Sequence, residues 1–126
     1  MIDGLFVYGT LAPANLESAE RLGFVPDQVR GWLYDLGSYP ALVPAEEPSG
    51  LWVCGYVRAV PETLLSDRLD EYEGVAEGLY RREVWTTRAG RRVWVYVYAR
   101  PIPANAVGPI DRWDGPRVPG LLDGTP

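Results

Sequence analysis

The run Arg92-Val93-Trp94-Val95-Tyr96-Val97-Tyr98 alternates valine with an aromatic residue without interruption. Successive side chains of a β-strand point to opposite faces, so Val93, Val95 and Val97 share one face and Trp94, Tyr96 and Tyr98 the other. Neither face suits open water. One belongs against a core, and the other against the rest of a barrel or the wall of a pocket. A second aromatic-rich strand, 79–87, precedes it, and Arg88-Ala89-Gly90 is a hairpin-length connection that contains glycine. A chain of 126 residues is one domain. It buries roughly two-thirds of its unfolded surface, enough for a core without disulfide or metal staples.

The other segments fit around this hairpin. Leu5-Phe6-Val7-Tyr8, stopped by Gly9, reads as a short buried strand. Leu16, Ala19 and Leu22 fall at helical spacing ahead of Gly23, which predicts a helix over 15–22. The spans 29–36, 41–43 and 52–60 read as strands, with Gly31 marking a bulge or a close backbone approach. Pro61-Glu62-Thr63 opens a second helix whose apolar stripe is Leu64, Leu65, Leu69 and Tyr72, closed by Gly74. The last 26 residues hold six of the twelve prolines and read as an irregular stretch that packs on the body at Ile110 or Trp113. The expected fold is α+β: a small, partly closed and mainly antiparallel β-barrel flanked by short helices.

Composition removes whole classes of chemistry. The chain has no histidine and one cysteine, Cys54, which excludes zinc fingers, Ser-His and Cys-His nucleophiles, and any intramolecular disulfide. All twelve basic residues are arginine, so no lysine can form a Schiff base. Proton transfer therefore falls to Asp, Glu, Tyr or the lone Cys. The net charge of −5 argues against nucleic acid and anionic membranes as partners. Arginines 81, 82, 88, 91, 92 and 100 among the aromatics form the pattern that tracks single strands, but surrounding acids cancel that footprint. No segment approaches a membrane span or a signal peptide, and cysteine usage fits a reducing cytoplasm.

Three features carry potential chemistry. Val7-Tyr8-Gly9-Thr10-Leu11 runs a strand into a sharp turn where backbone amides converge, a concavity suited to an anion; it is equally a plain strand end. Asp67, Asp70, Glu71 and Glu73 crowd a helix C-terminus. Carboxylates there oppose the macrodipole and repel one another, which raises the pKa of any that is buried. Glu73, next to the closing Gly74, is placed to leave the helix surface for a cleft; the same cluster on the surface would be a solvated acidic face. The third feature is the tyrosine supply of the late strands, Tyr80, Tyr96 and Tyr98, whose hydroxyls need partners when buried.

Taken in order, Val7-Tyr8-Gly9-Thr10-Leu11, Gly31 to Gly37 with Tyr39-Pro40-Ala41, Gly55-Tyr56-Val57, Leu69 to Gly74, Leu79 to Arg82 and Val95 to Tyr98 resemble the γ-glutamylcyclotransferase-like superfamily. The branch is the one that includes AIG2-like and γ-glutamylamine cyclotransferase proteins. The resemblance covers residues 5–100. It implies a small mixed barrel with a cavity at one side, and a domain over 1–100 followed by the Pro-rich segment 101–126. It implies that Glu73 is the acid/base and that Tyr8, Gly9, Thr10 and Leu11 hold the α-carboxylate of a γ-glutamyl group. Tyr80 and Tyr96 would line the pocket, with Tyr98 the alternative register.

The implied reaction releases 5-oxoproline and an amine from a small γ-glutamyl compound, and it requires no cofactor or metal. The alternative is a non-catalytic or differently acting member that binds an amino-acid-like carboxylate in the same cavity. Ala12-Pro13-Ala14 departs from the longer polar stretch common after this turn, which implies a different pocket mouth.

Overall fold

The computed structural model describes residues 1–46 and 48–117. Seven strands form one curled, mixed sheet: β1 (Gly4–Val7), β2 (Val25–Asp35), β3 (Pro40–Val43), β4 (Leu51–Arg58), β5 (Tyr80–Thr86), β6 (Arg92–Tyr98) and β7 (Val107–Ile110). The spatial order is β3-β2-β4-β1-β6-β5, with β7 paired to β2. All pairings are antiparallel except β1 with β6. β3 lies against β6, which curls the sheet into a partly closed barrel.

Burial follows the alternation on β6. Val93, Val95 and Val97 join Phe6, Val29, Leu33, Leu42 and Val53 in one apolar cluster, while Tyr96 and Tyr98 join Leu5, Val7, Leu65 and Leu69 in the other. β1 contributes to both clusters, and its C-terminal end emerges between them. Gly31 is a close approach: a Cβ there would lie 2.9 Å from the carbonyl oxygen of Val43.

Three expectations need correction. β2 begins at Val25, four residues before the expected start, because Asp27 is held by partners on the β5–β6 turn rather than by solvent. The segment after residue 100 is not irregular throughout. β7 pairs with β2, and Trp113 is 1% exposed. Its indole N–H donates to Asp35 at 3.0 Å. Residues 118–126 lie outside the described residues.

Helix α1 spans Leu16–Arg21, with the Asn15 side chain as its N-cap. The third correction concerns the second helix, α2 (62–72), which is α-helical at Glu62–Leu64, a π-helix at Leu65–Leu69, and α-helical again at Asp70–Tyr72. A π-turn holds one residue more than an α-turn. The helix face carrying Leu65 and Leu69 therefore passes to Glu73 instead of Tyr72, which is 40% exposed. A Schellman motif ends the helix: the Val75 amide donates to the Asp70 carbonyl and the Gly74 amide to Glu71, with Gly74 at φ +67°.

Candidate functional site

Where β1 ends, residues 8–11 turn beneath the C-terminal end of α2. Tyr8, Gly9, Thr10, Leu11, Glu73, Tyr80 and Tyr96 all line one small hollow there, with Tyr39 and Pro40 as its rim. Its free volume is about 30 Å³, more than a bound water needs. Tyr98 does not line it but packs edge-on against Tyr80, with ring centroids 5.5 Å apart. The turn is pressed close to β3. A Cβ on Gly9 would stand 2.6 Å from Pro40 Cγ. Among the described residues, no hydrogen bond engages the backbone amides of Gly9, Thr10 and Leu11.

Glu73 is half-buried, and loss of hydration pushes its carboxyl from 4.5 up to about 7. No neighbouring cation counteracts that rise. Tyr8, Tyr80 and Tyr96 each feel the Glu73 charge. Burial raises all three phenols well above their ordinary value, and the carboxylate adds to the rise.

Protein acceptors engage all three phenolic protons. Tyr8 donates to the carbonyl of Tyr96, and Tyr80 donates to the carbonyl of Pro40. Tyr96 donates to Asp70 Oδ1 at 2.6 Å. Asp70 is itself an acceptor in a bidentate ion pair with Arg82, at 3.1 Å on both arms. Arg82 also stacks over Trp94 at 4.5 Å. A hydroxyl that has given its proton elsewhere offers its lone pairs. Turn residues whose amides no protein group engages thus meet three tyrosines and one carboxylate around the hollow.

Sequence reasoning did not single out Asp70, Tyr72, Arg82 or the Tyr39-Pro40 rim as part of this assembly. Tyr72, displaced outward by the π-turn, donates to Thr10 Oγ1 at 3.1 Å and so links α2 to the turn. The Tyr39-Pro40 pair was legible as a turn next to a short strand, but its position over Gly9 depends on how β3 folds back on β2. The Asp70–Arg82 pair joins a helix end to a strand twelve residues on, and spacing does not signal such a pairing.

A family profile described as "Gamma-glutamyl cyclotransferase, AIG2-like" matches residues 5–115. A protein of Vibrio cholerae serotype O1 named "Putative gamma-glutamylcyclotransferase" is 36% identical over 99 residues, which cover 75% of this chain and 80% of that protein. Among solved structures, an uncharacterized protein from Pyrococcus horikoshii matches with a TM-score of 0.58 at 20% identity. That match covers 82% of this chain and 83% of the other. It is a likeness of fold.

Proposed function

The chain belongs to the gamma-glutamyl cyclotransferase, AIG2-like family, and from that premise we propose that it cyclises a small γ-glutamyl compound to 5-oxoproline with release of an amine. Such a substrate carries its own nucleophile. Its α-amino nitrogen attacks its own γ-carbonyl carbon, a C–N bond forms, and the original amide C–N bond breaks. Intramolecular attack already supplies a large effective molarity, so the protein needs only to orient the ends and assist proton transfer.

In this reading Glu73 takes a proton from the α-ammonium and delivers it to the departing nitrogen; the ring nitrogen then sheds a second proton as it becomes the lactam N–H, and the released amine takes up one proton from solvent to leave as an ammonium, so that atoms and charge balance over the cycle. A carboxyl near 7 is matched to both halves of that task at neutral pH. The amides of Gly9, Thr10 and Leu11 receive the α-carboxylate or the developing oxyanion. The phenol oxygens of Tyr8, Tyr80 and Tyr96 accept from the α-ammonium, since their own protons are engaged elsewhere. The observation that carries the reading is the meeting in one hollow of a desolvated glutamate with amides that no protein group engages.

The test is a panel of γ-glutamyl amines and γ-glutamyl amino acids incubated with the protein, with 5-oxoproline followed by mass spectrometry. Release from at least one member, abolished in Glu73→Gln, is the expected result. Binding of a panel member without 5-oxoproline release would replace the enzyme reading with that of an amino-acid-type ligand binder. Undiminished turnover in Glu73→Gln would remove the proton relay.

A further inference from the structure

We propose that a second cavity, which shares only Tyr8 with the lining of the Glu73 hollow, is a binding site for a small polyanion bearing carboxylate or phosphoryl groups. The cavity measures about 460 Å³, within the range of small-molecule sites. It lies between β2, β4, the β5–β6 turn and the segment that follows β7. Gln28 and Cys54 line it, Tyr56 and Trp113 give it flat apolar walls, and Arg88, Arg112 and Arg117 reach it from two sides.

The charge balance of the cavity sets its chemistry. Asp27 borders it, but Thr87 at 2.6 Å, Arg91 at 2.7 Å and the amides of Gln28 and Ala89 already occupy that carboxylate. Among the described residues, Asp114 is then the one acid lining the cavity left to balance three guanidinium groups. None of the three arginines makes an ion pair among the described residues.

Neutral groups hold the arginines in place instead. Arg88 donates to the Gln28 side chain at 2.9 Å and lies over Trp52 at 5.0 Å. Arg117 donates to the carbonyls of Gly9 at 2.6 Å and Trp113 at 2.7 Å. Arg112 lies within electrostatic reach of the Cys54 thiol. Burial of Arg117 lowers its pKa although the Asp114 charge pulls the other way, whereas Cys54 and Asp114 raise that of Arg112. In a chain of net charge −5, three guanidinium groups that outnumber the one free carboxylate around a concavity focus positive potential there and fit carboxylate or phosphoryl oxygens.

The full chain is titrated by calorimetry with citrate and, separately, with inorganic phosphate, at ionic strength held constant with sodium chloride. Saturable one-to-one binding of either supports the proposal, and the tighter of the two identifies the oxygen chemistry preferred. The double variant Arg88→Gln/Arg112→Gln, both of whose side chains are exposed, should bind at least about tenfold more weakly. On the unmodified protein, the tighter anion should slow alkylation of Cys54 by iodoacetamide about fivefold or more, because the thiol lines the cavity and is the only one in the chain. Absence of saturable binding by both anions, an unchanged affinity in the double variant, or an unchanged alkylation rate overturns the proposal. None of these readouts depends on cyclotransferase activity.

Discussion

Replacing Glu73 with glutamine removes a group that the fold holds against its own preference, so the variant gains stability on the alkaline side alone. In the native protein, loss of hydration sets the Glu73 carboxyl at about 7, against 4.5 for an ordinary glutamate. Between those two values the folded chain binds one proton that the unfolded chain has lost, so stability falls as pH rises through the window. At about 1.4 kcal/mol for each tenfold change in proton affinity, the ceiling on this cost above pH 7 is about 3 kcal/mol. Because Glu73 is half-buried rather than sealed, water screens part of it, leaving ~1–2 kcal/mol.

For a chain of this length that corresponds to a rise in Tm on the order of 3–8 °C for Glu73→Gln at pH 8. Near pH 4.5 and below, the native carboxyl is protonated, as is a growing fraction of the unfolded chain, and the two proteins should melt together. Scanning calorimetry at both pH values is the assay. An equal gain at both, or no gain at pH 8, refutes the assignment of the raised pKa to burial of this side chain. In parallel, kcat/KM of the unmodified protein should rise with pH through an apparent pKa of about 7, the mark of a required carboxylate.

Gly9→Ala places a methyl group 2.6 Å from Pro40 Cγ, and a proline ring cannot swing aside. The variant should lose about 1–3 kcal/mol in urea unfolding together with most of its turnover; native values for both would show that the turn tolerates displacement. Tyr80→Phe leaves the Pro40 carbonyl without its phenol donor and should cost about 1–3 kcal/mol by the same measurement. Asp70→Asn strips the partner from Arg82 beside the Tyr96 hydroxyl, exposing Glu73 to an uncompensated cation. The acidic limb of kcat/KM should then move below 7, and an unmoved limb would disprove the coupling. Although burial pushes the Asp27 carboxyl up, bonds from Thr87, Arg91 and two amides outweigh that and hold it below its ordinary value. Its stabilisation is therefore present at neutral pH and lost as pH falls through the folded pKa. Asp27→Asn should be destabilised at pH 7, with the gap to the native protein closing in acid.

What could be read from the chain divides along a physical line. Strands β1, β3, β4, β5 and β6 announce themselves because alternation and bounding glycines or prolines are local signals, and the strand pairing of β5 with β6 needs only a short turn. β7 was hidden because Val107-Gly108-Pro109-Ile110 has no strand character of its own and exists as an addition to β2. The start of β2 was hidden because Pro26 and Asp27 are local breakers, rescued by side chains some sixty positions away. In the site, the turn and Glu73 were legible as motifs. The phase of α2 was not, since a π-turn leaves no periodicity to count, and it is this turn that exchanges Tyr72 for Glu73 on the inner face.

A glutamate near 7 in an arginine-only protein is a matter of what is kept away from it. Every basic side chain here is an arginine, permanently charged, and one placed beside Glu73 would favour the anion and pull the pKa down. The two basic residues of early β5 are committed elsewhere, Arg82 to Asp70 and Arg81 to Glu83. Hydroxyl donors would act in the same direction as a cation, and three tyrosines stand within electrostatic reach. Each has its proton claimed by the carbonyl of Pro40, the carbonyl of Tyr96 or the carboxylate of Asp70. Burial is therefore unopposed at Glu73. The hydrogen bonds that engage the phenolic protons keep them from Glu73, hold its pKa up and leave the phenol oxygens as acceptors for an ammonium group.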